Sequence, residues 1–468
     1  MGVKMWQGIS SKFRALLISP LITLTFGYIL GFDLKQMIAL SAFVITVLGA
    51  FLYWQYKLII AFASIVIIFT MGIIDVETFI KSAEFNIILF LVAISILVAP
   101  LKRVGFFRWF STMILSICKF NFKWFLLPMS FAAMLFACLM GEVSSIIFMS
   151  TIILEVAEYF EFNPTLSLLL IMMATNIGSS GTALGNPVGL IIAFEAGLKF
   201  TEFLRWSMPI GILSIIILYW YFTWRRKDHI SSIQSAINRV ISERGVVVDL
   251  TSLIGDLRKF AVATMIFIFT IIGVASHGYW ENVLGLEDGT MLLSFGFLGA
   301  AIALTLYRDE AKEIVEKEVD WWSLLFITFI LGETGALKYT GVTSKLASII
   351  MNLTGGNELS LFTLVSIFTF SISPFIDNIS VVATLTPIVL SIKAHMNVYP
   401  VWWIMLISAC YAGNLTPLGA AANIIALGQL NSMGINVELK EWIRECTIPT
   451  IIVHGIGFIL LLTQFFLL

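Results

Sequence analysis

Apolar runs long enough to cross a lipid bilayer dominate this chain, and four of its apolar stretches are interrupted where lipid tolerates no interruption. A helical span needs roughly 20 predominantly apolar residues. Uninterrupted candidates lie at about 15–30, 37–55, 58–75, 84–100, 206–224, 259–277, 289–307, 321–336 and 446–467. The 468 residues are 59% hydrophobic and 12% charged, whereas soluble domains carry about 25% charged residues. An all-α polytopic membrane protein is therefore expected. Lys4, Lys12 and Arg14 precede the first run with no small-residue cleavage signature after it, which reads as a retained first span rather than a secretory signal.

The interrupted stretches fall into two pairs. Residues 126–157 are broken by Gly141-Glu142-Val143-Ser144-Ser145, and residues 359–392 by Ser373 to Ser380, which includes Asp377 and Asn378. Each is followed by a second broken run, at 164–197 and 400–430. These carry NIGSSGTALGNPVG (Asn176 to Gly189) and GNLTPLGAAAN (Gly413 to Asn423). Unwound backbone at membrane depth survives only where it is buried in protein or lines a cavity, and broken helices mark transporter binding sites. The first member of each pair reads as a re-entrant hairpin and the second as a discontinuous span. Counted this way, the chain has about 11 spans of bilayer length.

Charge supports that topology with a cytoplasmic N-terminus. Of 28 Lys and Arg, seven fall outside (Lys35, Lys81, Lys199, Arg205, Lys338, Lys345 and Lys393) and the other 21 inside, as the positive-inside rule requires. The polar stretch 225–258 divides the chain into halves, 1–224 and 259–468, and its mixed charge reads as a solvated cytoplasmic linker. Trp321, Trp322, Trp402 and Trp403 read as interfacial belt residues.

The two halves match at a nearly fixed offset. Glu84-Phe85 falls on Asp320-Trp321, Gly105 on Gly341, Pro164 on Pro400, and Leu184-Gly185 on Leu418-Gly419. With the topology above, the repeat is inverted, and its sites are expected near the midplane. The candidate residues are Glu142, Ser144 and Ser145 at the first tip, with Asn176, Gly178, Thr182, Gly185 and Asn186 at the first break. At the second tip they are Asp377, Asn378 and Ser380, with Asn414, Thr416, Gly419 and Asn423 at the second break. Helix N-termini freed at a break bind anions through backbone N–H groups. Freed carbonyls with side-chain oxygens suit a hard cation such as sodium. No Lys, Arg or His lies between Lys123 and Lys199, so an anion there has amides and dipoles to hold it. Intramembrane acids suggest ion or proton sites. The blander readings are close helix packing through Gly181, Gly185 and Gly189, and tip acids standing in water. Glu333 is left unassigned, and Cys118, Cys138, Cys410 and Cys446 show no metal or disulfide spacing.

SPFIDNISVVATLTPIV followed by GNLTPLGAAANIIALG resembles the C-terminal half of the ion transporter superfamily, closest to its arsenical pump membrane proteins and citrate-transporter-like permeases. The resemblance implies a homodimer with an elevator-like movement. It also implies that Asp377, Asn378, Asn414, Thr416 and Asn423 form one ion or substrate half-site, with Asn176, Gly178, Thr182 and Gly185 in the other. The first half departs from the family pattern. Glu142-Val143 stands where relatives have Asp-Asn, and Gly185-Asn186-Pro187-Val188-Gly189 replaces Gly-Asp-Pro-Pro-Asn.

The expected function is secondary active transport of a small anion or oxyanion, arsenite- or carboxylate-like, by alternating access. Proton or sodium would couple, sodium at Asp377, Asn378, Asn414 and Asn423. A sodium/proton antiporter is the alternative and an anion channel a weaker one. The setting expected is the plasma (inner) membrane of a prokaryote, with lipid as partner and no nucleic acid. No cofactor is expected beyond the coupling ion. No nucleophile–base or metal-ligand spacing suggests an enzyme.

Overall fold

The computed structural model describes residues 2–244, 256–376 and 378–467. Asp377 and linker residues 245–255 lie outside them. Among the described residues all regular secondary structure is helical. Among the described residues, six helices are long and apolar enough to cross a bilayer: Leu34–Leu52, Phe85–Arg103, Phe122–Met140, Met208–Arg225, Leu257–Ala275 and Leu439–Leu467. A seventh results if Thr290–Leu306 and Arg308–Lys317, bent by 98°, count as one span. The remaining expected spans are also helices, at Gly2–Ile29, Lys57–Thr70 and Trp321–Tyr339. The arms of the first hairpin, Phe122–Met140 and Glu142–Tyr159, have 19 and 18 residues. At 1.5 Å per residue each arm is about 28 Å long.

The chain forms two compact units, residues 1–89 with 320–402 and residues 90–319 with 403–468. In the first, Phe43, Ala61, Ile65 and Ile68 pack with Phe326 and Ile330 in one apolar core. Asp33 and Gln36 open the Leu34–Leu52 helix with a reciprocal capping box. The Gln36 amide also donates to Thr340 O at 2.9 Å. The second unit holds the first hairpin and both helix breaks. The linker differs from a solvated connector over its first part. Lys227–Arg244 is a helix whose Ile233, Ile237 and Val240 are buried, a one-face spacing. Its Gln234 accepts from Phe122 N at 2.7 Å.

The element boundaries recur along the chain. Phe85–Arg103 and Trp321–Tyr339 each have 19 residues and begin 236 positions apart. Gly105 (φ 76°) and Gly341 (φ 79°) each precede the next helix in the left-handed conformation, which glycine adopts without steric cost. Asn121 and Asn357 each cap the helix after that, accepting from Trp124 N and Ser360 N. Thr165–Gly178 and Tyr399–Ala412 each have 14 residues, 234 apart.

The tryptophan expectation is corrected for two of four residues. Trp402 is 2% and Trp403 0% exposed, because residues 401–414 are buried on every side. Trp403 packs edge-on to Phe203 at 5.1 Å. Trp321 and Trp322 are exposed.

Candidate functional site

Both breaks, which lie in the second unit, are built on one backbone plan. The first half-helix, Thr165–Gly178, gives way to a short turn, and Thr182 and Asn186 are extended before Pro187–Ala196 begins. In the second, Tyr399–Ala412 ends at the Gly413–Leu415 turn, and Thr416 and Ala420 are extended before Ala421–Ser432. A glycine closes each crossing. A Cβ on Gly185 would lie 2.2 Å from Ser179 O, and one on Gly419 would lie 2.5 Å from Gly413 O. The crossing partner is six residues upstream in both, and 234 positions separate the two crossings. Gly178 packs as tightly, its would-be Cβ 2.4 Å from Met134 O on the hairpin arm. These three glycines serve close backbone approach.

The polar side chains of the first break are mostly spent inside the protein. Thr182 donates to Cys138 O and accepts from Leu184 N. Asn186 caps Gly189 N at 2.9 Å, and its amide donates to Ser179 Oγ and Cys410 Sγ. Cys138 donates through sulfur to Gly178 O at 3.0 Å, so two cysteines without motif spacing hold break backbone and side chain in place. At the first tip Ser145 turns back to Ala133 O at 3.0 Å, and Ser144 is half-buried. Glu142 is buried in the first turn of Glu142–Tyr159, where the N-terminal dipole favours a carboxylate.

The second break has its carbonyls covered instead. Asn423 Nδ2 donates to Gly413 O at 2.7 Å and Thr416 O at 2.9 Å. Trp442 Nε1 donates to Asn414 O at 3.1 Å, and Thr447 Oγ1 to Leu415 O at 2.8 Å. Trp442 and Thr447 carried no signal in the sequence, since they lie beyond the break in a segment with no motif.

Three asparagines bring the two breaks together. Asn176 Nδ2 donates to Asn414 Oδ1 at 2.7 Å and Asn423 Oδ1 at 2.8 Å. All three side chains are fully buried. Two atoms of this cluster, Asn414 Nδ2 and Asn176 Oδ1, have no partner, and neither has the neighbouring Thr175 hydroxyl. Buried polar groups are otherwise almost always bonded. The helix after the second break, Ala421–Ser432, starts at Ala420 with no side-chain cap, unlike its counterpart capped by Asn186. The unpartnered side-chain group of the second break is thus a donor, Asn414 Nδ2, while Asn414 Oδ1, Asn423 Oδ1 and the Gly413 to Thr416 carbonyls each accept at least one bond. Donors without acceptors, at a helix N-terminus, suit an anion.

The second hairpin tip belongs to the first unit. Asn378 and Ser380 are buried there, and the Ser380 hydroxyl has no partner.

The sequence profile described as citrate transporter matches residues 43–351 and 334–467. Among curated proteins, the chain is similar to an uncharacterized transporter of Mycobacterium tuberculosis (strain ATCC 25618 / H37Rv). Identity is 27% over 376 residues, covering 78% of this chain and 83% of the relative. A 46 kDa membrane protein of Mycobacterium leprae is 28% identical over 427 residues, 89% of this chain and 96% of that one. The P protein of Homo sapiens is 22% identical over 434 residues, 77% of this chain and 51% of its own length.

Proposed function

Because the chain belongs to the citrate transporter family, we propose that this integral membrane protein is a secondary active transporter of a small anion, working by alternating access. That it is a membrane transporter, and no enzyme, follows from the family and from relatives named as transporters. The observation that carries the anion reading is the second break. Asn414 Nδ2 is buried without an acceptor and the Ala421–Ser432 helix opens uncapped. Both offer positive charge density with no cationic side chain. The family description favours a carboxylate over an arsenite-like oxyanion. Coupling is by proton or sodium through Asp377 and Asn378 at the second tip. The Asn414 and Asn423 side-chain oxygens each accept one bond from Asn176, and each keeps a second lone pair for a cation.

The inverted repeat, with re-entrant hairpins and about 11 spans of bilayer length, is part of the same proposal. Its supports are the shared helix boundaries, the paired Gly105/Gly341 and Asn121/Asn357 punctuation, and the two glycine crossings. A homodimer in a prokaryotic plasma membrane rests on the family likeness and the mycobacterial relatives.

Proteoliposome uptake of citrate, smaller carboxylates and arsenite, under separate sodium and proton gradients, tests the function. Accumulation of at least one anion under one gradient is expected. Sodium exchange for protons with no anion moving would establish an antiporter and overturn the reading. For topology, a cysteine in place of Lys393 should label from outside, and labelling only from the cytoplasm would refute the inverted repeat.

A further inference from the structure

We propose that Glu333, with Thr46, forms a proton-binding site inside the first unit, built from none of the residues of the two breaks. Glu333 is the thirteenth of the 19 residues of Trp321–Tyr339, and it is fully buried. Thr46 on Leu34–Leu52 donates to its Oε1 at 2.9 Å, while Oε2 is buried with no partner. Ser64 on the neighbouring Lys57–Thr70 helix spends its hydrogen on Ala42 O at 2.7 Å. The helix is clamped at this level. A Cβ on Gly332 would lie 2.1 Å from the Phe79 ring, and one on Gly335 would lie 2.2 Å from Ser82.

The charged groups of the surrounding helices are engaged elsewhere or distant. Lys57 lies with its ammonium 4.7 Å from the Phe326 ring centre, seven residues and about 10 Å along the helix from Glu333. On Val76–Ser82, Lys81 pairs with Glu77 at 2.7 Å. Lys345 on Val342–Thr354 donates to Gly31 O at 2.6 Å. Lys35 stands in the first turn of Leu34–Leu52, Lys338 in the last turn of Trp321–Tyr339, and Asn378–Ile392 has no titratable residue. A bare buried carboxylate costs several kcal/mol, and one donor meets only part of that. The acid therefore carries its proton on Oε2, with Oε1 as the carbonyl oxygen that Thr46 holds. An intramembrane acid kept at this cost marks a functional site by default. The step is a plain exchange. The O–H bond of Oε2 breaks, its electron pair stays on the carboxylate, and the proton passes to water that reaches the site in another state of the cycle.

The inference uses the transport reading only for its consequence, coupling. Its test needs no transported anion, so the two fail separately. The carboxylic C=O band of the reconstituted protein is followed by infrared difference spectroscopy from about pH 5 to about pH 9, the range over which buried glutamates titrate. A band that disappears as pH rises, and is missing in Glu333→Gln, is expected. Thr46→Val should fold and move the same band to higher wavenumber, because its carbonyl oxygen loses a donor. A Glu333 band that stays constant over the whole range would show a fixed neutral hydrogen-bonding group and overturn the proposal. So would a titrating band that Glu333→Gln leaves in place or Thr46→Val does not move.

Discussion

The asparagine cluster predicts a sharp contrast between two adjacent buried residues, Asn176 and Thr175. Asn176→Ala strands two buried acceptors, Asn414 Oδ1 and Asn423 Oδ1, which accept at 2.7 and 2.8 Å. Each stranded group costs about 1–3 kcal/mol. The substitution also removes the unpartnered Asn176 Oδ1, which returns one such penalty. The amide leaves a void of about 45 Å³, worth about 1 kcal/mol at 24 cal/mol per Å³. The net destabilisation is about 2–4 kcal/mol. Thr175→Val keeps the shape and replaces an unpartnered buried hydroxyl with a methyl, so it should raise stability by about 1–3 kcal/mol. Thermal unfolding in detergent micelles, followed by tryptophan fluorescence, should place Asn176→Ala below the wild type and Thr175→Val at or above it. An Asn176→Ala midpoint equal to or above that of Thr175→Val would refute the idea that this cluster joins the breaks.

Two further predictions concern the crossings and the linker. Gly185→Ala and Gly419→Ala each push a Cβ against a carbonyl oxygen, at 2.2 and 2.5 Å. Backbone cannot swing aside as a side chain can, so each should cost about 1–3 kcal/mol or more. Gly455→Ala meets nothing within 4 Å, and it should match the wild type in monodisperse yield on size exclusion while the other two fall below. On the linker helix, burial and then the nearby Arg226 guanidinium hold the His229 imidazole below its ordinary 6.5. The folded state thus binds fewer protons than the unfolded one near that pH. The contribution of His229 is complete above about 6.5 and is lost as pH falls through the lower folded value. The protection factors of the Lys227–Arg244 amides, corrected for the intrinsic pH dependence of exchange, should fall on acidification, and His229→Gln should abolish that dependence.

The spans and both breaks were legible in the sequence because apolar length and Pro/Gly interruption are local signals. The fixed offset picked out Gly105 and Gly341, and the structure gives both the left-handed conformation such a junction needs. Phe106–Ile117 and Val342–Thr354 escaped a search for spans, because they have 12 and 13 residues and polar faces. The site was legible as a set of residue names but not as roles. Asn176, Asn414 and Asn423 do meet. Thr182, Ser145 and Asn186, however, bond to carbonyls, a hydroxyl, a thiol and an amide of their own fold. Which lone pair is already spent is decided by tertiary contacts at sequence separations from 12 to 247 residues, and no periodicity records those. Trp402 and Trp403 show the same limit, since belt and core tryptophans look alike until the neighbours of their helix are known.

Asn176 comes from the part of the chain before the linker, and Asn414 and Asn423 come from after it. A transport cycle that swung one half of the chain against the other would part these residues and rupture two buried hydrogen bonds. At about 4–6 kcal/mol each in an apolar medium, that adds about 8–12 kcal/mol to the barrier if no water follows. At 1.36 kcal/mol per factor of ten, turnover would slow by about a million-fold or more. A cycle that carries both breaks as a single load leaves the bonds intact and has no such toll on its rate.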